Sequence, residues 1–401
     1  MATNIFSSIE ADTKNSLFKR RIISYCINHS HATITDLAKV LDLSIPTTTK
    51  LVGEMVEQQY LSGRGKMGTG AGRHPRIFEI NPDSGYFVGV DVKEYSVDAA
   101  MINFNGEMIH HKDYPFSYEA VPGCIDTLSG IVKSFIRGTH IPSEKVLNIC
   151  FNISGRVNPQ TGYSYSMFNF SEEPLSDVLS RKIGTPVCID NDTRAMTYGE
   201  YVKGCVGDEK DVLFINVSWG LGVGIIVDGN IYMGKSGFSG EFGHIPAFEN
   251  DIICRCGKKG CLETEVSGQA LIRKLTERVK AGESCIFSKD IKNGKVPSLK
   301  DVIKAVNEAE DPLCIDIIEE IGSNLGKHLA SLINVFNPEL VVVGGVLSAT
   351  GDYILQPAKT AIRKHSLGIV SKDSFVTTSR LADKAGITGA CMIARSRMIN
   401  I

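Results

Sequence analysis

Between Gly240 and Glu263 the chain reads GEFGHIPAFENDIICRCGKKGCLE, and no other stretch restricts its fold as tightly. Cys254, Cys256 and Cys261 fall within eight residues, and His244 lies ten positions before the first of them. Gly257 and Gly260 stand between the last two cysteines and let the backbone turn sharply enough for the thiolates to converge. Three thiolates and one imidazole complete a tetrahedral zinc shell. A shell closed by four protein ligands is structural, since a catalytic zinc keeps one position open. Cys254 and Cys256 are too close in sequence for an unstrained disulfide, and pairing would leave an odd thiol. Three buried cysteines beside a satisfied histidine would account for the residue types but not for the glycine punctuation. The same stretch carries carboxylates at both ends, Glu241 and Glu263, and a metal loop that pins acids suits a polar small-molecule site.

The chain has 401 residues, enough for two or three domains with a large core. Charge is distributed unevenly. Residues 1–82 hold ten Lys/Arg against seven Asp/Glu, net +3, and the remainder holds 33 against 38, net −5. A small basic domain is therefore expected ahead of a larger acidic one. Eleven cysteines, an odd number, together with a thiolate cluster fit a reducing compartment. There is no apolar run of eighteen residues and no apolar core of a signal peptide near the N-terminus, so a cytoplasmic protein is expected, without a membrane partner.

In the basic segment, Leu17, Phe18, Ile22, Ile23, Cys26 and Ile27 recur at helical spacing. Thr35 is placed to cap a second helix with Leu37, Ala38 and Leu41 on its apolar face. Ser44 is placed to cap a third, with Pro46 in its first turn and Leu51, Val52, Met55 and Val56 buried. Helix, short helix, turn, helix is the helix-turn-helix pattern, whose last helix presents its first residues to base edges. Here these are Thr47, Thr48, Thr49 and Lys50. The following SGRGKMGTGAGRHPRIFEINP reads as a β-hairpin wing with a basic tip, and Arg64, Arg73 and Arg76 are its candidate DNA contacts. A glycine linker with solvated charges is the plainer reading. The basic wing attached to the three helices favours binding to double-stranded DNA.

Beyond residue 82 the pattern is mixed α/β. Strands are expected at Tyr86–Asp91, Ala99–Phe104, Glu107–His110, Val146–Ile153 and Val187–Ile189, with a helix over Cys124–Arg137. A second, similar series opens at Val212–Val217. It passes through a glycine turn at Gly220–Gly224 into Ile225–Val227, with a hairpin turn at Asp228-Gly229-Asn230. A long helix from about Asp311 to Val335 and a buried strand at Leu340–Val343 follow. The repeated strand–turn–strand unit implies two lobes of related topology with a cleft between them.

These residues resemble the ROK family, which groups sugar kinases with sugar-responsive repressors, and the resemblance covers nearly the whole chain. Gly220-Leu221-Gly222-Val223-Gly224, Gly234, Gly240 and Gly243-His244 match the family signature, and Cys254 to Glu263 match its zinc motif. The winged segment, including Gly72-Arg73-His74-Pro75, is similar to that of the repressor branch. The resemblance implies a two-lobed actin/hexokinase-like (ribonuclease H-like) α/β fold behind an N-terminal winged helix-turn-helix. The domains would be 1–82 for DNA and 83–401 for sugar, the latter with lobe 1 at about 83–200 plus the C-terminal helix and lobe 2 at about 201–385. It also implies sugar contacts from Asn191, Asp192, Glu241, His244 and Glu263, with His244 also a zinc ligand. In the family's kinases the aspartate at position 192 is the general base.

Two departures bear on catalysis. Where the kinases follow the first-lobe aspartate with Gly-Gly-Thr, this chain follows Asp91 with Val92-Lys93-Glu94-Tyr95. Where they carry a Gly-Thr pair ahead of the second glycine run, it has Ser218 and Trp219, its single tryptophan. Phosphoryl transfer rests on positioning and charge neutralisation, so both changes argue against an enzyme. Arg194 stands where the family more often has Asn, a position expected to alter ligand preference. The expectation is a zinc-containing, sugar-responsive transcriptional regulator of carbohydrate metabolism, a repressor, that binds operator DNA as a homodimer or homotetramer. The alternative is an ATP-dependent hexose kinase with an appended DNA-binding domain.

Overall fold

The computed structural model describes residues 14–66, 76–170 and 172–399. The chain divides into two compact units, one of Met1–Ile153, Thr161–Asp190 and Ala390–Ile401, the other of Ser154–Gln160 and Asn191–Gly389.

The first unit opens with α1 (Lys14–His29), β1 (Ala32–Thr33), α2 (Ile34–Leu41), α3 (Ile45–Glu57), β2 (Leu61–Lys66) and β3 (Arg76–Ile80). The strands form a sheet in the order β1-β3-β2. Ile22, Ile23, Leu37, Leu51, Val52, Met55 and Phe78 fill the core beneath it. Ser44 caps α3, its hydroxyl accepting from Thr47 N. The cap of α2 is Thr33 rather than Thr35. Thr33 Oγ1 accepts from Asp36 N while Asp36 Oδ2 accepts from Thr33 N, a reciprocal pair worth about 1 kcal/mol that a cap at Thr35 would forgo. Leu17, expected on the buried face of α1, is exposed. Residues 67–75, which include Gly72, Arg73, His74 and Pro75, lie outside the described residues.

The same unit continues with β4 (Tyr86–Val92), β5 (Ser96–Asn103), β6 (Met108–Pro115), α4 (Gly123–Gly138) and β7 (Val146–Ile153). The second unit contributes β8 (Val157–Asn158) before β9 (Tyr163–Ser164), α5 (Leu175–Ile183) and β10 (Val187–Asn191) follow. The sheet runs β10-β7-β4-β5-β6. β4 pairs parallel with β7 and antiparallel with β5, which pairs antiparallel with β6. β4 and β7 are buried at every position, which is why both read as mainly apolar runs, broken only by Asp91 in β4 and by Asn148 and Asn152 in β7. The edge strand β6 is exposed at nearly every position and extends to Pro115, beyond the expected His110, because an edge with no buried face leaves no alternation in the sequence.

The second unit holds α6 (Asp192–Lys203), β11 (Val212–Val217), β12 (Leu221–Val227), β13 (Asn230–Ile231), α7 (Gly268–Lys280), α8 (Ser288–Lys292) and α9 (Leu299–Asn307). It continues through α10 (Pro312–Phe336), β14 (Leu340–Gly344), α11 (Asp352–His365), α12 (Gly368–Asp373) and β15 (Phe375–Thr378) into α13 (Ala385–Ile399), which ends in the first unit. α6 belongs here, although most of it precedes the boundary expected near 200. The sheet runs β13-β12-β11-β14-β15. In each series the third, second, first, fourth and fifth strands lie side by side in that order, so the repeat in the sequence is a repeat of topology. Ile318, Ile321, Leu325 and Leu329 of α10 pack against Ile215, Leu271 and Val343 in one continuous core.

The glycine run at 220–224 is not a turn. Leu221–Val227 is one strand, paired with β11 from Val212↔Ile226 to Val217↔Leu221. Its glycines admit α6. A Cβ at Gly222 would stand 2.6 Å from Thr193 Oγ1, and one at Gly224 would stand 1.7 Å from Thr197 Oγ1. Among the described residues no helix is long and apolar enough to cross a membrane.

Candidate functional site

The cysteine stretch folds as the glycines require. Ala247 N and Phe248 N donate to Gly260 O, and Leu262 N donates to Ile245 O, tying the two arms of the loop together. Cys254 N donates to Lys258 O and Gly257 N to Cys254 O, which closes a tight knuckle. Gly260 has φ +67°, and a Cβ there would stand 2.0 Å from Phe248 O. His244, Cys254, Cys256 and Cys261 each aim one ligand atom at a common point, all within 4.8 Å of one another. Cys256 Sγ lies 3.6 Å from Cys261 Sγ, and His244 Nδ1 lies 3.4 Å from Cys254 Sγ. A tetrahedron with zinc-type bond lengths has S···S edges of about 3.8 Å and N···S edges of about 3.6 Å. The donor set and its spacing therefore fit a metal ion. Burial pushes the Cys254 thiol up to about 12, so closing the shell on a cation releases protons.

The expected polar contacts stand around the start of β12. The segment Gly240–His244 runs along this strand, with Val223 N donating to Gly240 O. Gly240 has φ +87°, and a Cβ there would stand 1.9 Å from Val223 O. His244 divides its ring, for Nδ1 faces the thiols while Nε2 lies 3.6 Å from Glu241 Oε2. Glu263 Oε2 accepts from Leu221 N at 3.0 Å, and Glu263 Oε1 lies 3.5 Å from Cys254 Sγ. Glu263 is thus a bridge between the metal loop and β12 before it is anything else.

α6 brings the other two. Asn191 caps it, Oδ1 accepting from Arg194 N, while Nδ2 donates to Gly155 O. Asp192 Oδ1 accepts from Thr193 N, and Oδ2 accepts from Ser154 Oγ at 2.5 Å. Burial raises the Asp192 pKa above the ordinary carboxylate value, against the lowering effect of those hydrogen bonds. Ser154 follows directly on the last residue of β7. Arg194 is buried, donating to Gly237 O and to Val157 O. It braces the loops at Val157 and Gly237, behind the acids.

The candidate DNA residues divide sharply. Thr47, Thr49 and Lys50 are exposed on α3. Thr48 is fully buried and its hydroxyl donates to Ser44 O, so it packs inside the motif and cannot reach a base. Arg64 lies in β2, in register with Ile77. Arg76 is exposed at the start of β3, its guanidinium 5.8 Å from the ring centre of Phe78. Arg73 is outside the described residues.

The ROK family model matches residues 87–397. The chain belongs to the ROK family. The xylose repressor of Caldicellulosiruptor bescii is 28% identical over 370 residues, covering 91% of this chain and 92% of the relative. The glucokinase of Halalkalibacterium halodurans is 30% identical over 316 residues, covering 78% and 96%. A crystal structure of a ROK family transcriptional regulator, a homologue of the E. coli MLC protein, superposes with a TM-score of 0.80 at 26% identity, covering 95% of this chain and 96% of that one. The duplicated α/β topology is the ROK actin/hexokinase-like fold, behind an N-terminal winged helix-turn-helix.

The two positions where the resemblance places the kinases' phosphate loops are both engaged internally. Asp91 pairs with Asp98, and Asp98 with Asp113, across β4, β5 and β6. Lys93 Nζ lies 2.6 Å from Asp98 Oδ2 and 3.6 Å from Asp91 Oδ2. Burial would lower the Lys93 pKa, but the carboxylates of Asp91 and Asp98 outweigh it and hold the ammonium charged. A cation already answered by two acids has little left for a phosphate. At the other loop, Ser218 Oγ accepts from Val346 N at 3.1 Å and donates to Asn216 Oδ1 at 2.6 Å, so the amide beside Gly344-Gly345 is satisfied within the protein. Trp219 is exposed, its carbonyl accepting from Gln269 N.

Proposed function

We propose that this ROK protein is a transcriptional repressor that binds operator DNA through residues 1–82 and is released by a sugar held in residues 83–401. One observation carries the reading: a winged helix-turn-helix precedes a kinase-like fold whose first phosphate loop is filled by its own Lys93–Asp98 ion pair. The match to a repressor over 370 residues, against 316 for a glucokinase, supports it.

In this reading zinc occupies His244, Cys254, Cys256 and Cys261. Its role is structural: it holds His244 Nε2, Glu241 and Glu263 in fixed relation to Asn191 and Asp192. Carboxylates and an amide so held discriminate sugar hydroxyls by paired acceptance and donation. Thr47, Thr49, Lys50, Arg64, Arg73 and Arg76 contact the operator. Operator half-sites imply two or more copies of the chain, as dimer or tetramer, in the cytoplasm. Sugar releases DNA only as far as it binds the DNA-free state more tightly.

Gel-shift titration with a panel of sugars and phosphosugars tests this. The expected result is a complex dissolved by one sugar, with Glu241→Ala binding DNA but no longer responding. A Glu241→Ala protein that still responds overturns the assignment of the site. Sugar phosphorylation is the second reading, favoured by the raised pKa of Asp192 at the position of the kinase base. ATP-dependent turnover of a sugar that is lost in Asp192→Asn would put it first.

A further inference from the structure

The outward face of α3 is apolar where a DNA-reading helix usually carries forked donors. Ile45, its first residue, is 57% exposed, the residue after it is an exposed proline, and Thr49 follows Ile45 by one helical turn on the same face. The threonine hydroxyls are turned onto the protein's own atoms. Thr49 Oγ1 donates to Ile45 O at 2.8 Å, and Thr47 Oγ1 shares a hydrogen bond with Ser44 Oγ at 2.8 Å. Each exposed threonine therefore offers its methyl group for contact. A side chain at Gly53, one turn beyond Thr49, would meet nothing within 4 Å, so the face continues open. Lys50 is the one cation of α3 and is exposed, while the carboxylate of Glu54 is held 2.9 Å from Lys19 Nζ. The helix has no Arg, Asn or Gln for a bidentate bond to a base.

Apolar atoms in the major groove have one specific counterpart, the 5-methyl group of thymine, and a lysine finds guanine O6 and N7. We propose that Ile45 and Thr49 read thymine methyl groups in the operator, with Lys50 on a neighbouring guanine. This inference rests on the DNA-binding reading above and adds the chemical identity of what α3 recognises. The basic residues of the wing supply affinity without sequence information, since phosphates are alike.

The test uses the full-length protein without sugar. Its preferred site is selected from a randomised duplex library, then resynthesised with deoxyuridine in place of each thymine in turn. Loss of one buried methyl group is expected to weaken binding about fourfold at one or two positions of the half-site. Ile45→Ala, a truncation at an exposed first-turn position, is expected to bind thymine and deoxyuridine equally at one of those positions. Arg76→Ala is expected to weaken all these duplexes alike. The proposal is overturned if every thymine can be replaced without effect, or if Ile45→Ala keeps the full preference for thymine. Failure to bind any duplex would overturn the DNA-binding reading itself, an outcome distinct from binding that ignores the methyl groups.

Discussion

Lys93 Nζ stands 2.6 Å from Asp98 Oδ2, an ion pair formed at the place where ROK kinases keep glycines for phosphate. Asp91 and Asp98 are both buried and share this ammonium, with Asn152 Nδ2 also donating to Asp91 and His111 beside Asp98. Lys93→Gly should therefore not create a kinase. It should destabilise the protein by about 1–2 kcal/mol, less than the loss of a fully buried partner because Lys93 is partly exposed. Calorimetry and a coupled ATP assay on the same preparation check both halves, and appearance of turnover would contradict the first.

Metal removal should act locally before it acts globally. Zinc analysis is expected to give one ion per chain, falling to none in Cys256→Ser. A chelator should lower the melting temperature and abolish the sugar response, while far-UV circular dichroism keeps most of its amplitude because both five-stranded sheets lie outside the loop.

Asp192→Asn should make the sugar-free protein more stable. The raised pKa of Asp192 means that the folded state takes up a proton more readily than the unfolded one. Its contribution to stability is present at and below the unfolded value and is lost as pH rises through the raised folded value. Wild type should accordingly gain stability as pH falls into that window, and Asp192→Asn should lack the gain while losing sugar affinity. Thermal melts from pH 7 downward, read side by side, check the sign.

Gly224→Ala should separate α6 from β12. The added carbon would fall 1.7 Å from Thr197 Oγ1, so the helix must shift. A cost of about 1–3 kcal/mol is expected, together with a loss of sugar response, since Asn191 and Asp192 ride on the first turn of that helix. Chemical denaturation gives the first quantity and gel-shift titration the second.

What could be read in the sequence was what depends on near neighbours. The candidate metal site is local: one histidine, three cysteines and two glycines inside a short span dictate its turn. Strands β4, β7 and β11 announced themselves because burial on both faces leaves mostly apolar residues. What escaped depends on partners distant in sequence. Gly222 and Gly224 read as a turn because their reason is a helix earlier in the chain, pressing through Thr193 and Thr197. The loss of the kinase glycines at Lys93 was visible, but its pairing with Asp98 appears only once β4 and β5 are in register. Thr35 was read as the cap of α2, and the reciprocal hydrogen bonds with Asp36 place the cap at Thr33 instead. Thr48 belonged to the reading face by position alone, until the rotation of α3 turned it inward.

His244 serves two neighbours with one ring, the thiols through Nδ1 and Glu241 through Nε2. Withdrawing the ion would free the imidazole to swing, and the acid beside it would lose its reference point. In the proposed repressor, a cell starved of zinc would therefore keep the regulated genes silent even when nutrient is plentiful. In that reading, one heterocycle would make a trace element a precondition for sensing food.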